Sequence, residues 1–230
     1  MSNYAIMRFQ KYKCGSVANI ERHQRHRNRL RNRAHPEREN ENRTWKRYDE
    51  TMTRTIRNAI KAQEQTTGRK VRKDANVLCE LVLTFSPDME ELIPLNEWVK
   101  ANLKWVSDTF GKGKMMRADL NRDEVTTHLH CFVIMTDENG RFNSSRFFNK
   151  KKQIIEMQDS YASAMAQFGL CRGISKNITH ANHQTLLEWK KAECVRLERE
   201  VAELTNTILA EEPAVQTLQN IDSELFDVLR

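Results

Sequence analysis

Two apolar runs constrain the fold more than anything else in the chain. Val77-Leu78-Cys79-Glu80-Leu81-Val82-Leu83-Thr84-Phe85 is nearly continuous apolar sequence, the pattern of a strand covered on both faces. Thr127 to Thr136 reads as another strand, and Met115 to Leu120 as one just ahead of it. The polar Asn121-Arg122-Asp123-Glu124 lies between those two, which makes them a hairpin or near-neighbours. Tyr4 to Phe9 adds a short strand at the amino end. Helical spacing appears at Met52, Ile56, Ala59, Ile60 and Gln63 and stops at Gly68. It returns at Val99, Leu103, Val106 and Phe110, with Asn96 as the expected cap and Gly111 as the stop. Ile154, Met157, Tyr161, Met165 and Phe168 mark a further helix ended by Gly169. Val17 to about Arg33 is predicted helical, Glu37 to Arg47 a loop, and Asp137 to Gly140 a turn. The order β, α, α, β, α, β, β, α predicts an α+β domain, an antiparallel sheet with flanking helices.

A helical tail follows. Leu187, Cys194, Leu197, Val201, Leu204 and Ile208 keep steps of three and four, the seam of a coiled-coil-like helix. The expected division is a domain at 1–183 and a tail at 184–230, the tail packing elsewhere or pairing with a second copy of the chain. No run approaches the roughly 20 apolar residues that a bilayer crossing needs, and the amino end has no signal-peptide core, so the expected location is the cytoplasm. The five cysteines are far apart with no C-x-x-C pair, which argues for free buried thiols over a disulfide framework or a thiolate zinc site.

The net charge of +7 is unevenly spread. Residues 1–73 carry 20 Lys and Arg against 7 Asp and Glu, whereas residues 74–230 carry 18 against 24. Arg22, Arg25, Arg27, Arg29, Arg31 and Arg33 alternate with other residues, and Arg69, Lys70, Arg72 and Lys73 follow further on. A polyanion is the natural partner of such a segment, since each cation docked on a phosphate releases counterions. The plainer alternative is a solvated face of a basic protein.

The residues that carry chemistry lie in the strand from Thr127. His128 and His130 are two apart, so both imidazoles project from one face of the sheet, where they can share a cation. A purely structural role is the competing reading. Asn121, Asp123 and Glu124 stand just ahead and offer oxygen ligands or a base. A divalent ion beside an arginine-rich helix suits phosphodiester chemistry. His23, His26, Tyr12, Tyr48 and Tyr161 are the candidate nucleophiles.

Tyr4 to Gly15 followed by Ile20-Glu21-Arg22-His23, then Val71-Arg72-Lys73-Asp74-Ala75, then Arg122-Asp123-Glu124-Val125-Thr126-Thr127-His128-Leu129-His130, resembles the Mob/Pre (MobV-class) plasmid mobilisation relaxases, in order, over roughly residues 1–185. That family belongs to the HUH endonucleases, so the resemblance implies a ferredoxin-like or recognition-motif-like sheet with the histidine strand at its centre. It also implies nicking of one DNA strand at an origin of transfer, with strand transfer through a covalent histidine–5′-phosphate. Position by position, His23 would be the nucleophile and Glu124 the base or ligand-orienting acid. His128 and His130 would bind Mn²⁺ or Mg²⁺ with position 121, where Asn121 replaces the family's third histidine. Arg8, Arg22, Arg25, Arg27, Arg72 and Lys73 would grip a single-stranded or hairpin plasmid DNA. Thr127 stands where many relatives have proline, and the family's central motif is poorly matched around Asn42-Arg43-Thr44-Trp45. Two alternatives stay open: a DNA-binding protein of the same fold with catalysis lost through Asn121, and a tyrosine-dependent nuclease of replication-initiator type using Tyr161.

Overall fold

A computed structural model describes residues 2–26, 35–46, 49–174, 191 and 194–210, apart from the side chains of Arg25 and His26. The chain divides into two units, Met1–Gly173 and Ile174–Arg230. The expected boundary at 183/184 lies outside the described residues.

The first unit is built on a six-stranded, mostly antiparallel sheet: β1 (Tyr4–Lys13), β2 (Arg43–Lys46), β3 (Asn76–Phe85), β4 (Met115–Asn121), β5 (His128–Ile134) and β6 (Cys171–Arg172). Their order across the sheet is β2-β4-β5-β3-β1-β6, with β6 alone pairing in parallel. The helices are α1 (Cys14–His26), α2 (Met52–Thr67), α3 (Leu95–Phe110), a single turn α4 (Ser145–Phe148) and α5 (Lys151–Met165). The apolar run of β3 lies one strand from β5 on one side and β1 on the other, and Leu78, Cys79, Leu81 and Leu83 are fully buried there.

Alternation along the strands divides the core in two. One face carries Leu81, Leu83, Leu129, Cys131 and Val133 under α3 and α5, with Trp98, Trp105, Phe110 and Tyr161 packed on them. The opposite face carries Leu78, Phe132 and Ile134 under Val17 of α1 and Met52 and Ile56 of α2. A buried carboxylate joins those two helices: Glu21 of α1 accepts from the backbone N–H groups of Met52 (3.0 Å) and Thr53 (3.3 Å) and from the Thr53 hydroxyl. It thereby satisfies amide donors that the first turn of α2 leaves open.

Three expectations need correction. The described part of the expected loop at 37–47, residues 37–46, is not a loop: a 3-10 turn (Pro36–Glu41) leads into β2, an edge strand held by Thr44 and its neighbours against β4. Pro94 rather than Asn96 caps α3: its backbone is extended (ψ 95°) and its carbonyl accepts from the Trp98 N–H at 3.0 Å, one residue before the helix begins at Leu95. Of the thiols, Cys79 and Cys131 are buried, but Cys171 and Cys194 are exposed. Gly68 stops α2 as expected, in the left-handed region at φ 65°.

Residues 194–210 of the second unit are helical, and Leu197, Val201, Leu204 and Ile208 are exposed there. Among the described residues no helix is long and apolar enough to cross a membrane.

Replacing Glu21 with Ala leaves the amides of Met52 and Thr53 without an acceptor. The expected loss of unfolding free energy is about 1–2 kcal/mol, read by urea denaturation; an unchanged midpoint would mean that the junction contributes nothing.

Candidate active site

Residues directly opposed in antiparallel strands share a face, so strand pairing sorts the polar groups into rows. Thr84, His128 and Asn121 form one row. Arg8, Val82, His130 and Asp119 form the next, and Glu80 and Phe132 stand in the one after. All project to the side on which α1 and α2 pack, because Phe132 belongs to the cluster with Val17 and Ile56. The helices cover the Phe132 and Ile134 end of that face, and the two histidines occupy the other.

Both imidazoles are 7% exposed, and their ring centroids are 4.9 Å apart. His128 Nδ1 donates to the Thr126 carbonyl at 2.7 Å. A carbonyl only accepts, so the proton is fixed on Nδ1 and the Nε2 lone pair is left to face Asn121 Nδ2 at 3.3 Å. Glu124 Oε2 lies 3.8 Å from the same nitrogen. His130 Nδ1 is held at 2.6 Å by Glu80 Oε1. Its Nε2 is buried without a hydrogen-bond partner among the described residues. Each ring is therefore anchored by its δ nitrogen and presents its ε nitrogen.

Glu80 is the functional residue that the sequence reading missed. Its second oxygen accepts from the Tyr12 hydroxyl at 2.6 Å. Burial, and then the hydrogen bond to Glu80, push the Tyr12 phenol well above its ordinary range; it stays protonated and acts as a donor. The signal was present, since a lone carboxylate in a strand buried on both faces requires partners. Asp119, across from His130, is already engaged: both its oxygens accept from Arg117 Nε (2.7 and 2.9 Å), and one also accepts from Thr44.

Among the described residues no group of three or more His, Cys, Asp and Glu is placed to hold a metal ion. The set on offer is two imidazole nitrogens and an amide that a half-turn converts from N to O donor. Two anchored imidazoles, one with an orphaned buried Nε2, beside a third polar group fit a divalent cation that accepts mixed nitrogen and oxygen ligands.

The other candidates are distributed. His23 and Arg22 lie on the exposed face of α1, opposite its buried Val17, Glu21 and Gln24. Arg8 is exposed on β1 in the row of His130. Arg72 and Lys73 precede β3, at the opposite end of that strand from the histidines, so neither sits beside the imidazole pair. The side chain of Arg25, Arg27 as a whole, and Tyr48 lie outside the described residues. The tyrosine alternative is contradicted by position. Tyr161 is 1% exposed in the core on the opposite face, its hydroxyl donates to Asn102 at 3.0 Å, and burial raises its pKa well above the usual value.

Residues 1–191 match the model of the family described as plasmid recombination enzyme. A 65 kDa protein of Zymomonas mobilis is 31% identical over 189 residues, 80% of this chain and 32% of its own length. A plasmid recombination enzyme of Bacillus thuringiensis is 25% identical over 218 residues, 90% of this chain and 46% of its own. The chain thus spans between a third and a half of the length of these curated relatives. Among solved structures, the Mn-bound MobM relaxase domain in complex with plasmid pMV158 oriT DNA superposes with a TM-score of 0.69 at 24% identity, covering 82% of this chain and 99% of that one. That likeness is one of fold.

Replacing Glu80 with Gln weakens the hold on His130 while preserving shape. Mn²⁺ affinity measured by titration calorimetry is expected to fall about 10- to 100-fold, with the far-ultraviolet spectrum unchanged; equal affinity would remove Glu80 from the site.

Proposed function

The chain belongs to the plasmid recombination enzyme family, and on that premise we propose that it is a metal-dependent plasmid mobilisation relaxase of the HUH type. It nicks one DNA strand at an origin of transfer and remains joined to the 5′ phosphate. The observation that carries this reading is the pair of anchored imidazoles with outward ε nitrogens on one sheet face, beside Asn121 and Glu124. The relative solved with oriT DNA and Mn supports the choice of substrate and of ion. His128, His130 and Asn121 would hold Mn²⁺ or Mg²⁺. Bound there, a divalent cation would supply Lewis-acid withdrawal of charge from the phosphate.

The chain's own residues do the rest. His23 is exposed on α1, accessible to a DNA strand as a nucleophile must be. A ring nitrogen attacks phosphorus, the P–N bond forms, the bond to the 3′ oxygen breaks, and the strand leaves with a 3′ hydroxyl. Glu124 takes the imidazole proton and passes it to the leaving 3′ oxygen. The phosphoramidate retains the energy of the broken ester, so the strand can be rejoined without ATP. Arg8, Arg22, Arg25 and Arg27 neutralise the flanking phosphates. Residues 1–183 form the relaxase domain. The exposed seam Leu197, Val201, Leu204 and Ile208 of the tail at 184–230 pairs with a second copy of the chain, which light scattering would show as a dimer.

End-labelled oligonucleotides carrying an origin of transfer test the assignment with Mn²⁺ present. The wild type yields a nicked, protein-linked product; His23→Ala loses at least about 10³-fold in rate, and Tyr161→Phe stays within about 3-fold. Cleavage that survives His23→Ala and is abolished by Tyr161→Phe would refute the histidine route. Binding with no cleavage, even by Asn121→His, would leave a DNA-binding protein without nuclease activity.

A further inference from the structure

We propose that the basic cleft at the C-terminal end of α2 is a second DNA contact, taking the sugar-phosphate backbone of the substrate at a distance from the histidine pair. The inference rests on the DNA-processing function above and adds the course that the nucleic acid follows over the surface.

The cleft has a volume of about 530 Å³, and its walls carry Arg69, Lys70, Arg72 and Arg141 around Phe142 and Gln63, with no carboxylate in the lining. Among the described residues, the side chains of Arg69, Lys70 and Arg141 have no ion-pair or hydrogen-bond partner. Arg72 meets only Asp74, at 3.7 Å, with both side chains more than two-thirds exposed, an arrangement worth little in water. Four cations line one hollow, three of them without an ion-pair partner among the described residues and the fourth only loosely paired.

Their backbone is held in place. Gly68 turns the chain out of α2 in the left-handed conformation, with its N–H on the Glu64 carbonyl. Glu64 Oε1 accepts from the Val71 N–H at 3.0 Å, fixing the strap that carries Arg69, Lys70 and Arg72. On the other wall Gln63 Oε1 accepts from the Phe142 N–H at 2.8 Å, fixing the segment that carries Arg141. Both walls are thus tied to the last turns of one helix. Phe142 is half-buried between them, an aromatic surface among cations on which a base can stack.

Position gives the cleft its role. Ala75, in its lining, directly precedes Asn76 at the start of β3. Val82 and Thr84, near the other end of that strand, pair with His130 and His128. Six to eight residues of strand separate the two places, about 20–26 Å at 3.3 Å per residue. Duplex DNA rises 3.4 Å per base pair, so about six to eight base pairs span the gap. A short strand seated at the histidines cannot reach the cleft, whereas a longer origin with its hairpin stem can.

Fluorescence anisotropy with the full chain tests this, using a single strand of about 3 nucleotides, too short to span the gap even when extended, and a stem-loop oligonucleotide of about 30 nucleotides. In the triple variant Arg69→Gln, Lys70→Gln, Arg141→Gln, affinity for the long probe falls at least about 10-fold and the salt slope of log K drops by about 3, as loss of three phosphate contacts on a duplex stem requires. Affinity for the short probe stays within about 2-fold. The charge-preserving set Arg69→Lys, Lys70→Arg, Arg141→Lys retains wild-type binding to the long probe. Equal affinity and salt slope for the long probe in the glutamine variant would overturn the inference while leaving the proposed function standing, and so would equal losses on both probes or in the charge-preserving set. A wild type that binds neither probe would overturn both.

Discussion

The site depends on which nitrogen of each imidazole is occupied. Strand alternation brings His128 and His130 to one face, but alternation does not decide how a ring is turned about its own bonds. That decision belongs to the Thr126 carbonyl and the Glu80 carboxylate, each at hydrogen-bond distance from a δ nitrogen. Neither acceptor can donate in its ordinary state, so each ring must place its proton inward and its lone pair outward. Without those acceptors the same two residues would be a pair of buried rings with interchangeable tautomers and no common direction. Tyr12 extends the arrangement by one more strand. The sequence of contacts Tyr12, Glu80, His130 runs diagonally across β1, β3 and β5, two residues along the strand at each step; these strands are adjacent in the sheet and remote in the chain.

This dependence explains the division of the sheet. One face is a continuous apolar core under α3 and α5, where Trp98, Tyr161 and Met165 are almost fully buried. The other is shared: Leu78, Phe132 and Ile134 hold α1 and α2, and the remaining rows carry charged and hydrogen-bonding groups. Burying Glu80, Asp119, Arg117 and two histidines is costly unless they are paired. The pairs Arg117–Asp119 and Glu80–His130 meet that requirement with short contacts. Glu90 does comparable work at the β4–β5 turn, where its Oε1 accepts from Arg38 and Arg122 and from the Thr127 hydroxyl. The turn that carries Glu124 is therefore held from two sides.

Much of this was legible in the chain. The apolar run of β3, the β4–β5 hairpin, the left-handed stop at Gly68 and the common face of the histidines all follow from spacing, because each is a local property of alternation or backbone conformation. What was not legible arises between elements. Arg43–Lys46 has no apolar alternation, since an edge strand exposed on most of its length needs none, and only its pairing with β4 makes it a strand. β6 is two residues long and exists through its pairing with Tyr4 and Ala5. Glu80 stood in plain view inside the longest apolar run, yet its partners come from 68 residues before it and 50 after, which spacing does not report. Arg72 and Lys73, expected among the DNA-gripping cations, stand at the opposite end of β3 from the histidines, which linear order does not reveal.

The central claim is that the two ε nitrogens and Asn121 form one cation site. Anomalous diffraction from crystals of the full chain soaked in Mn²⁺ and recorded at the manganese edge tests it most directly. A single strong peak within about 2.3 Å of both His128 Nε2 and His130 Nε2, with Asn121 Oδ1 turned toward it, is the predicted result. A peak elsewhere, or none at full occupancy of soaked ion, would contradict the account and return both imidazoles to a purely structural role.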